Sequence, residues 1–135
     1  MPSLNPSPAQ LAEFAARMPA GQPIMMLNLL RYNATASYPA GSEHAACTGR
    51  EAYKRYSRTA IAKVQAVGGR VEFMAPVQVA LIAPAGEAWD DMLLVRYPSP
   101  EAFLSMLNDP EYQAATVHRT AALFDSRLIG TTPPA

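Results

Sequence analysis

Cysteine, histidine, net charge and long apolar runs are all scarce in this sequence. The single cysteine, Cys47, cannot close an internal disulfide, so nothing argues for a secreted, cross-linked scaffold. Eleven basic and eleven acidic residues cancel, which removes the electrostatic reason to expect nucleic acid or a membrane surface as partner. No apolar run approaches the ~18 residues of a membrane span. The N-terminus lacks the basic start and apolar centre of a signal peptide. There is no GxGxxG, P-loop or HExxH, no cysteine pair for zinc, and the two histidines, His44 and His118, lie in separate regions. No cofactor and no metal are therefore expected. What is present is 135 residues, half of them hydrophobic, enough for one cytoplasmic domain with a core of its own.

Punctuation along the chain predicts its elements. Ser7-Pro8 opens a short helix over 9–18, with serine as N-cap and proline at the first helical position, where no hydrogen bond is lost. Pro19, Gly21 and Pro23 end it. The run Ile24 to Leu30 (IMMLNLL) is apolar except for Asn28, and its length favours a strand buried on both faces. Residues 32–47 show no periodicity and read as a long loop. Thr48-Gly-Arg-Glu51 matches a capping box and opens a helix to about Val67, stopped by Gly68-Gly69. A Val-, Ile- and Phe-rich strand follows over 71–83, with Pro76 implying a bulge or edge, then a strand over 89–97. Ser99-Pro100 opens a helix from Glu101 to about Leu107, Pro110 breaks it, and a further helix runs over 111–122. Arg127 to Thr131 is a last short strand.

After the first helix the order is β, α, β, β, α, β, the ferredoxin-like order: a four-stranded antiparallel sheet with helices on one face. The expected organisation is one domain, with residues 1–21 an N-terminal helical extension, 22–131 the core and 132–135 a tail. The strands are apolar on both faces: Met25, Leu27 and Leu29 alternate with Ile24, Met26 and Leu30. A bare apolar face of several hundred Å² sits roughly at the limit that monomers tolerate, and a homodimer packed sheet against sheet would cover it.

The segments MLNLLRY, GREAYKRYS, GGRV, WDDMLLVRYPS and NDPEYQAATVHRTAALFDSRLI, in this order over most of residues 22–131, resemble the bacterial family of the domain of unknown function 1330, within the dimeric α+β barrel superfamily. The resemblance implies a ferredoxin-like protomer and a dimer whose two sheets form a barrel. It implies no reaction, since that superfamily spans monooxygenases, isomerases, cyclases and haem enzymes.

Several side chains are candidates for chemistry. Asn28, set in an apolar strand, must find partners for its amide, in a ligand cavity or on neighbouring backbone. His118, in the last helix among Ala114, Ala115, Ala121 and Ala122, is a natural proton carrier near neutral pH if it faces a pocket between helix and sheet. Tyr53 and Tyr56 share a helix face with Arg50 one turn before, a grouping that suits a carboxylate or enolate oxygen, or a core with a solvated arginine face. Arg31 closes the first strand, where ligands often meet a sheet, and Tyr38 sits in the loop that would close such a pocket. His44 reads as a solvated loop residue, and Arg119, Asp125 and Arg127 as ion pairs holding the last helix to the last strand. Two functions follow. One is a cofactor-independent enzyme of isomerase, cyclase or monooxygenase type on a hydrophobic carbonyl or phenolic metabolite, with His118 moving the proton and Asn28 polarising oxygen. The other is a noncatalytic ligand-binding or interaction dimer.

Overall fold

A computed structural model describes residues 2–134. The first and last residues of the expected extension and tail, Met1 and Ala135, lie outside the described residues. Helix α1 (Pro8–Arg17) is capped by Ser7, and the Gln10 side chain returns a bond to the Ser7 amide, a reciprocity the sequence reading did not include. Strand β1 spans Ile24–Tyr32. Helix α2 (Gly49–Ala66) starts on the expected box, the Thr48 hydroxyl accepting from the Glu51 amide and the Glu51 carboxylate from the Thr48 amide. Then come β2 (Arg70–Pro76), β3 (Asp91–Tyr97), α3 (Pro100–Leu107), α4 (Pro110–Ala122) and β4 (Leu123–Thr131). Between α3 and α4 the Asp109 carboxylate caps α4 by accepting from Glu111 and Tyr112, and Lys63 of α2 pairs with it at 3.1 Å.

The sheet order is β2-β3-β1-β4 with every neighbouring pair antiparallel, the ferredoxin-like topology. Its inner face carries Ile24, Met26 and Leu30 from β1 and Val95 and Tyr97 from β3. These pack on Ala52, Tyr53, Tyr56, Ala60 and Val64 of α2, Phe103 and Met106 of α3, and Tyr112, Ala115 and Ala122 of α4. The outer face follows by alternation: Leu27 lies opposite Leu94 on one side and Ile129 on the other, Leu29 opposite Met92, and Phe73 opposite Leu94. Both faces are apolar, as the sequence indicated. Among the described residues no helix is long and apolar enough to cross a membrane.

Three boundaries differ from expectation. The strand expected over 71–83 ends at Pro76, which has no N–H to continue the ladder. The chain then leaves the sheet as an arm, tied back by the Val77 amide on the Asp90 carbonyl, with Val79, Leu81 and Ile82 75, 89 and 96 % exposed. Strand-like composition there reflects side-chain type without a pairing partner. β3 accordingly begins at Asp91 rather than Trp89. β4 begins at Leu123, four residues before Arg127, because α4 passes into it without a turn.

Candidate functional site

Helices α2, α3 and α4 and the N-terminal segment border a half-open cavity of about 960 Å³ against the inner face of the sheet. Its walls are mainly apolar: Met26, Leu93 and Val95 from the sheet, Ile61 and Val64 from α2, Phe103 and Met106 from α3. Leu4, Leu11, Phe14 and Met18 cover it from the N-terminal side, Phe14 meeting the Phe103 ring at 5.3 Å. Gly130 of β4 lies under the Met18 thioether, where a Cβ would come within 3.2 Å of the sulfur, a tight fit.

Asn28 faces this space from the centre of β1. Its amide nitrogen sits 3.2 Å from the Met26 carbonyl and 3.4 Å from the Leu93 carbonyl. Two acceptors on one side fix the amide so that NH₂ faces the backbone and the side-chain carbonyl is left as an acceptor. Tyr53 and Tyr56 line the same cavity, as does Tyr112 of α4. The Tyr56 and Tyr112 hydroxyls are 2.7 Å apart, so one bond joins them and one O–H is left to donate elsewhere. Burial pushes the Tyr53 phenol up to about 12 and raises Tyr56 well above its usual value. Both are neutral donors at physiological pH.

The cavity therefore brings together Asn28, Tyr53 and Tyr56, while Arg31, Arg50, Tyr38 and His118 lie elsewhere. Arg31 stacks over Phe124 at 4.7 Å. Arg50 lies over the Tyr32 ring and reaches the buried Asp91 carboxylate at 3.3 Å; the Tyr32 hydroxyl donates to the same oxygen at 2.7 Å. His118 faces the 33–48 loop. Arg55 donates to the Tyr38 hydroxyl oxygen at 3.1 Å, and the same hydroxyl is hydrogen-bonded to His118 Nδ1 at 2.7 Å. His44 is half-buried rather than solvated, its ring 4.5 Å from that of His118 and 5.2 Å from that of Tyr38. The expected tie between last helix and last strand is also redrawn. Arg127 pairs with Asp125 within β4, Asp125 accepts from the Ser3 amide, and Arg119 donates to the Leu4 carbonyl, so the anchored element is the N-terminal segment. Among the described residues no three side chains of His, Cys, Asp or Glu gather where they could hold a metal.

Burial first, then the charges of His44 and Arg55, hold the His118 pKa below the usual 6.5. As pH falls below that value the unfolded chain takes up a proton that the folded ring resists, so stability is full above it and declines as pH falls through the folded-state pKa. The urea midpoint should drop between pH 7 and pH 5, and His118→Gln should flatten that dependence. Equal slopes in the two proteins would show that His118 does not carry the effect.

Sequence reasoning missed Tyr112, Arg119 and Asp91. The signal for Tyr112 was available, since it sits one helical turn before Ala115 and Thr116 on the inward stripe of α4. For Arg119 and Asp91 only the tertiary arrangement reveals the partner.

A family model described as a domain of unknown function (DUF1330) matches residues 43–129. Among solved structures, RPA0582 from Rhodopseudomonas palustris, described as a protein of unknown function, is 38 % identical over 100 % of this chain and 99 % of its own, with a TM-score of 0.90. The methylated form of RPA0582 gives 39 % identity over 99 % and 96 %, again with a TM-score of 0.90. A hydroxynitrile lyase from Passiflora edulis shares the fold at 7 % identity, covering 84 % of this chain and 95 % of its own, with a TM-score of 0.55. No curated protein matches. The extent of the family match and the full-length likeness to RPA0582 agree: this chain belongs to the DUF1330 family.

Proposed function

We propose that this protein is a homodimeric small-molecule-binding protein whose sheet–helix cavity takes a hydrophobic molecule bearing a carbonyl or phenolic oxygen. The observation that carries the reading is the cavity itself: about 960 Å³ of mostly apolar wall with a few inward polar groups, within the size range of ligand sites. The Asn28 carbonyl accepts from a ligand O–H, and the tyrosine hydroxyls donate to a ligand oxygen. The homodimer closes over the outer sheet face.

The test is saturation-transfer NMR with 4-hydroxyacetophenone, which carries both groups. Asn28→Leu should weaken binding by about 10-fold, one neutral hydrogen bond in an apolar site, while stability changes by no more than about 1 kcal/mol. Unchanged affinity would remove Asn28 from the site, and a large loss of stability would assign it to the fold. The alternative, a catalytic reading with His118 as proton carrier, places the chemistry at the Arg55–Tyr38–His118 cluster under the 33–48 loop rather than in this cavity. The same probe separates the two. Deuterium uptake at its methyl group in D₂O, abolished in His118→Gln, marks proton transfer, and binding without uptake marks a carrier.

A further inference from the structure

We propose that the ligand of this cavity is an anion, a hydrophobic carboxylic acid, and that Arg119 is its counter-charge; this rests on the cavity reading above. Four charged residues border the cavity: Glu13, Arg17, Arg119 and Arg127, the last with its side chain on the opposite face of the sheet. Glu13 and Arg17 pair with each other at 2.8 Å, and Arg127 pairs with Asp125 at 2.8 Å and Glu87 at 3.9 Å. Among the described residues Arg119 alone of the four has no carboxylate within 4.0 Å. It is half-buried, and its recorded bond is to the neutral Leu4 carbonyl. One N–H of the fork is committed there, and the guanidinium has others to give.

A partly desolvated cation without a counter-ion is costly unless something negative completes it. The neighbouring groups do not. The guanidinium charge acts on both Tyr53 and Tyr56, yet burial outweighs it and both phenols stay neutral. What they add is donors: Tyr53 O–H, and the O–H left over from the Tyr56–Tyr112 pair. A guanidinium beside phenolic donors is a receptive site for two oxygens sharing a negative charge, and the planar fork of arginine suits a carboxylate. The apolar walls then take the body of the acid.

The experiment is calorimetric titration at pH 7.5 with a matched pair of probes, 4-hydroxycinnamate and the neutral 4-hydroxycinnamamide. The wild type should bind the acid on the order of 10-fold or more tighter than the amide, the range of a charge-assisted bond. Arg119→Gln should bring the acid down to the amide's level and leave the amide within about twofold. Equal affinities in the wild type, or an acid preference that survives Arg119→Gln, overturns the proposal while leaving the cavity reading in place. Failure of both probes to bind the wild type overturns the two together. Since Arg119 also holds Leu4, melting curves accompany the titrations. If Arg119→Gln does not fold, Arg119→Lys carries the test: a point charge without the fork should weaken the acid selectively, and an unchanged acid affinity overturns the assignment.

Discussion

Leu94→Arg should turn the proposed dimer, of twice 14.5 kDa, into a folded monomer. Leu94 is the centre of the outer sheet face, lying between Phe73 on β2 and Leu27 on β1, with Ile129 beyond. The central outward positions of the four strands are thus all apolar, and Phe73 and Ile129 are 57 and 47 % exposed although large. Arginine appears only toward the margin, as Arg31, Arg70, Arg96 and Arg127. An apolar centre with a charged rim is how protein interfaces are built. In a sheet-to-sheet dimer a twofold axis presents the same face from both sides, so one substitution enters the contact twice. An unpaired guanidinium buried there costs several kcal/mol, and at 1.4 kcal/mol per tenfold the dissociation constant should rise by about 10³ or more. The fold should survive, because Leu93 and Val95, which face the helices, are untouched. Native mass spectrometry with circular dichroism reads both quantities. A persistent dimer would move the contact to another surface, and a monomeric wild type would end the proposal outright.

How far such features can be read in advance depends on how local their cause is. The starts of α1, α2 and α3 were legible because Ser7, Thr48 and Ser99 cap amides three residues away. The sheet order was legible because the order of elements leaves few topologies for a right-handed chain. Asn28 was legible as a residue needing an explanation, since an amide in an apolar strand is anomalous wherever the strand sits. His118 was not: its helix predicts a polar position, but the side of α4 it occupies is decided by the 33–48 loop, whose Tyr38 and His44 fold back onto it from 80 and 74 positions away in the chain. The arm after Pro76 misled for the opposite reason. Val77, Val79, Leu81 and Ile82 have every local mark of a strand, and pairing, which local marks do not contain, is what is missing. Arg119 was read, with Asp125 and Arg127, as part of ion pairs holding the last helix to the last strand, yet Arg119 lines the cavity and Asp125 engages Arg127 and Ser3.

Gly49→Ala should destabilise the protein by about 3–5 kcal/mol, although it replaces the poorest helix former but proline with the best. Gly49 is the first residue of α2, and its backbone is not in the left-handed region, so conformational freedom is not why glycine stands there. The reason is close approach. A Cβ at this position would overlap the Asn33 carbonyl oxygen and lie 2.7 Å from the Ala122 carbonyl oxygen and 2.9 Å from the Asn33 nitrogen. All three are main-chain atoms, so none can swing aside as a side chain would. They also belong to one junction: the Asn33 amide donates to the Ala122 carbonyl at 2.8 Å, and the Gly49 amide donates to the Asn33 carbonyl at 3.2 Å. The chain just past β1, the start of α2 and the end of α4 are pinned together there, and a methyl group must pry them apart. Overpacking alone costs roughly 1–3 kcal/mol, and each buried hydrogen bond lost adds about 1. A displaced α2 also carries Tyr53 and Tyr56 with it, so ligand affinity should fall together with stability. Gly86 supplies the contrast. Its φ of +83° strains any other residue, but nothing lies within 4 Å of its added Cβ, and Gly86→Ala should cost only about 1 kcal/mol. Urea denaturation of the two variants side by side decides the matter. A Gly49→Ala protein within 1 kcal/mol of wild type would mean that the junction is loose, and that the pin between β1, α2 and α4 does not position the tyrosines.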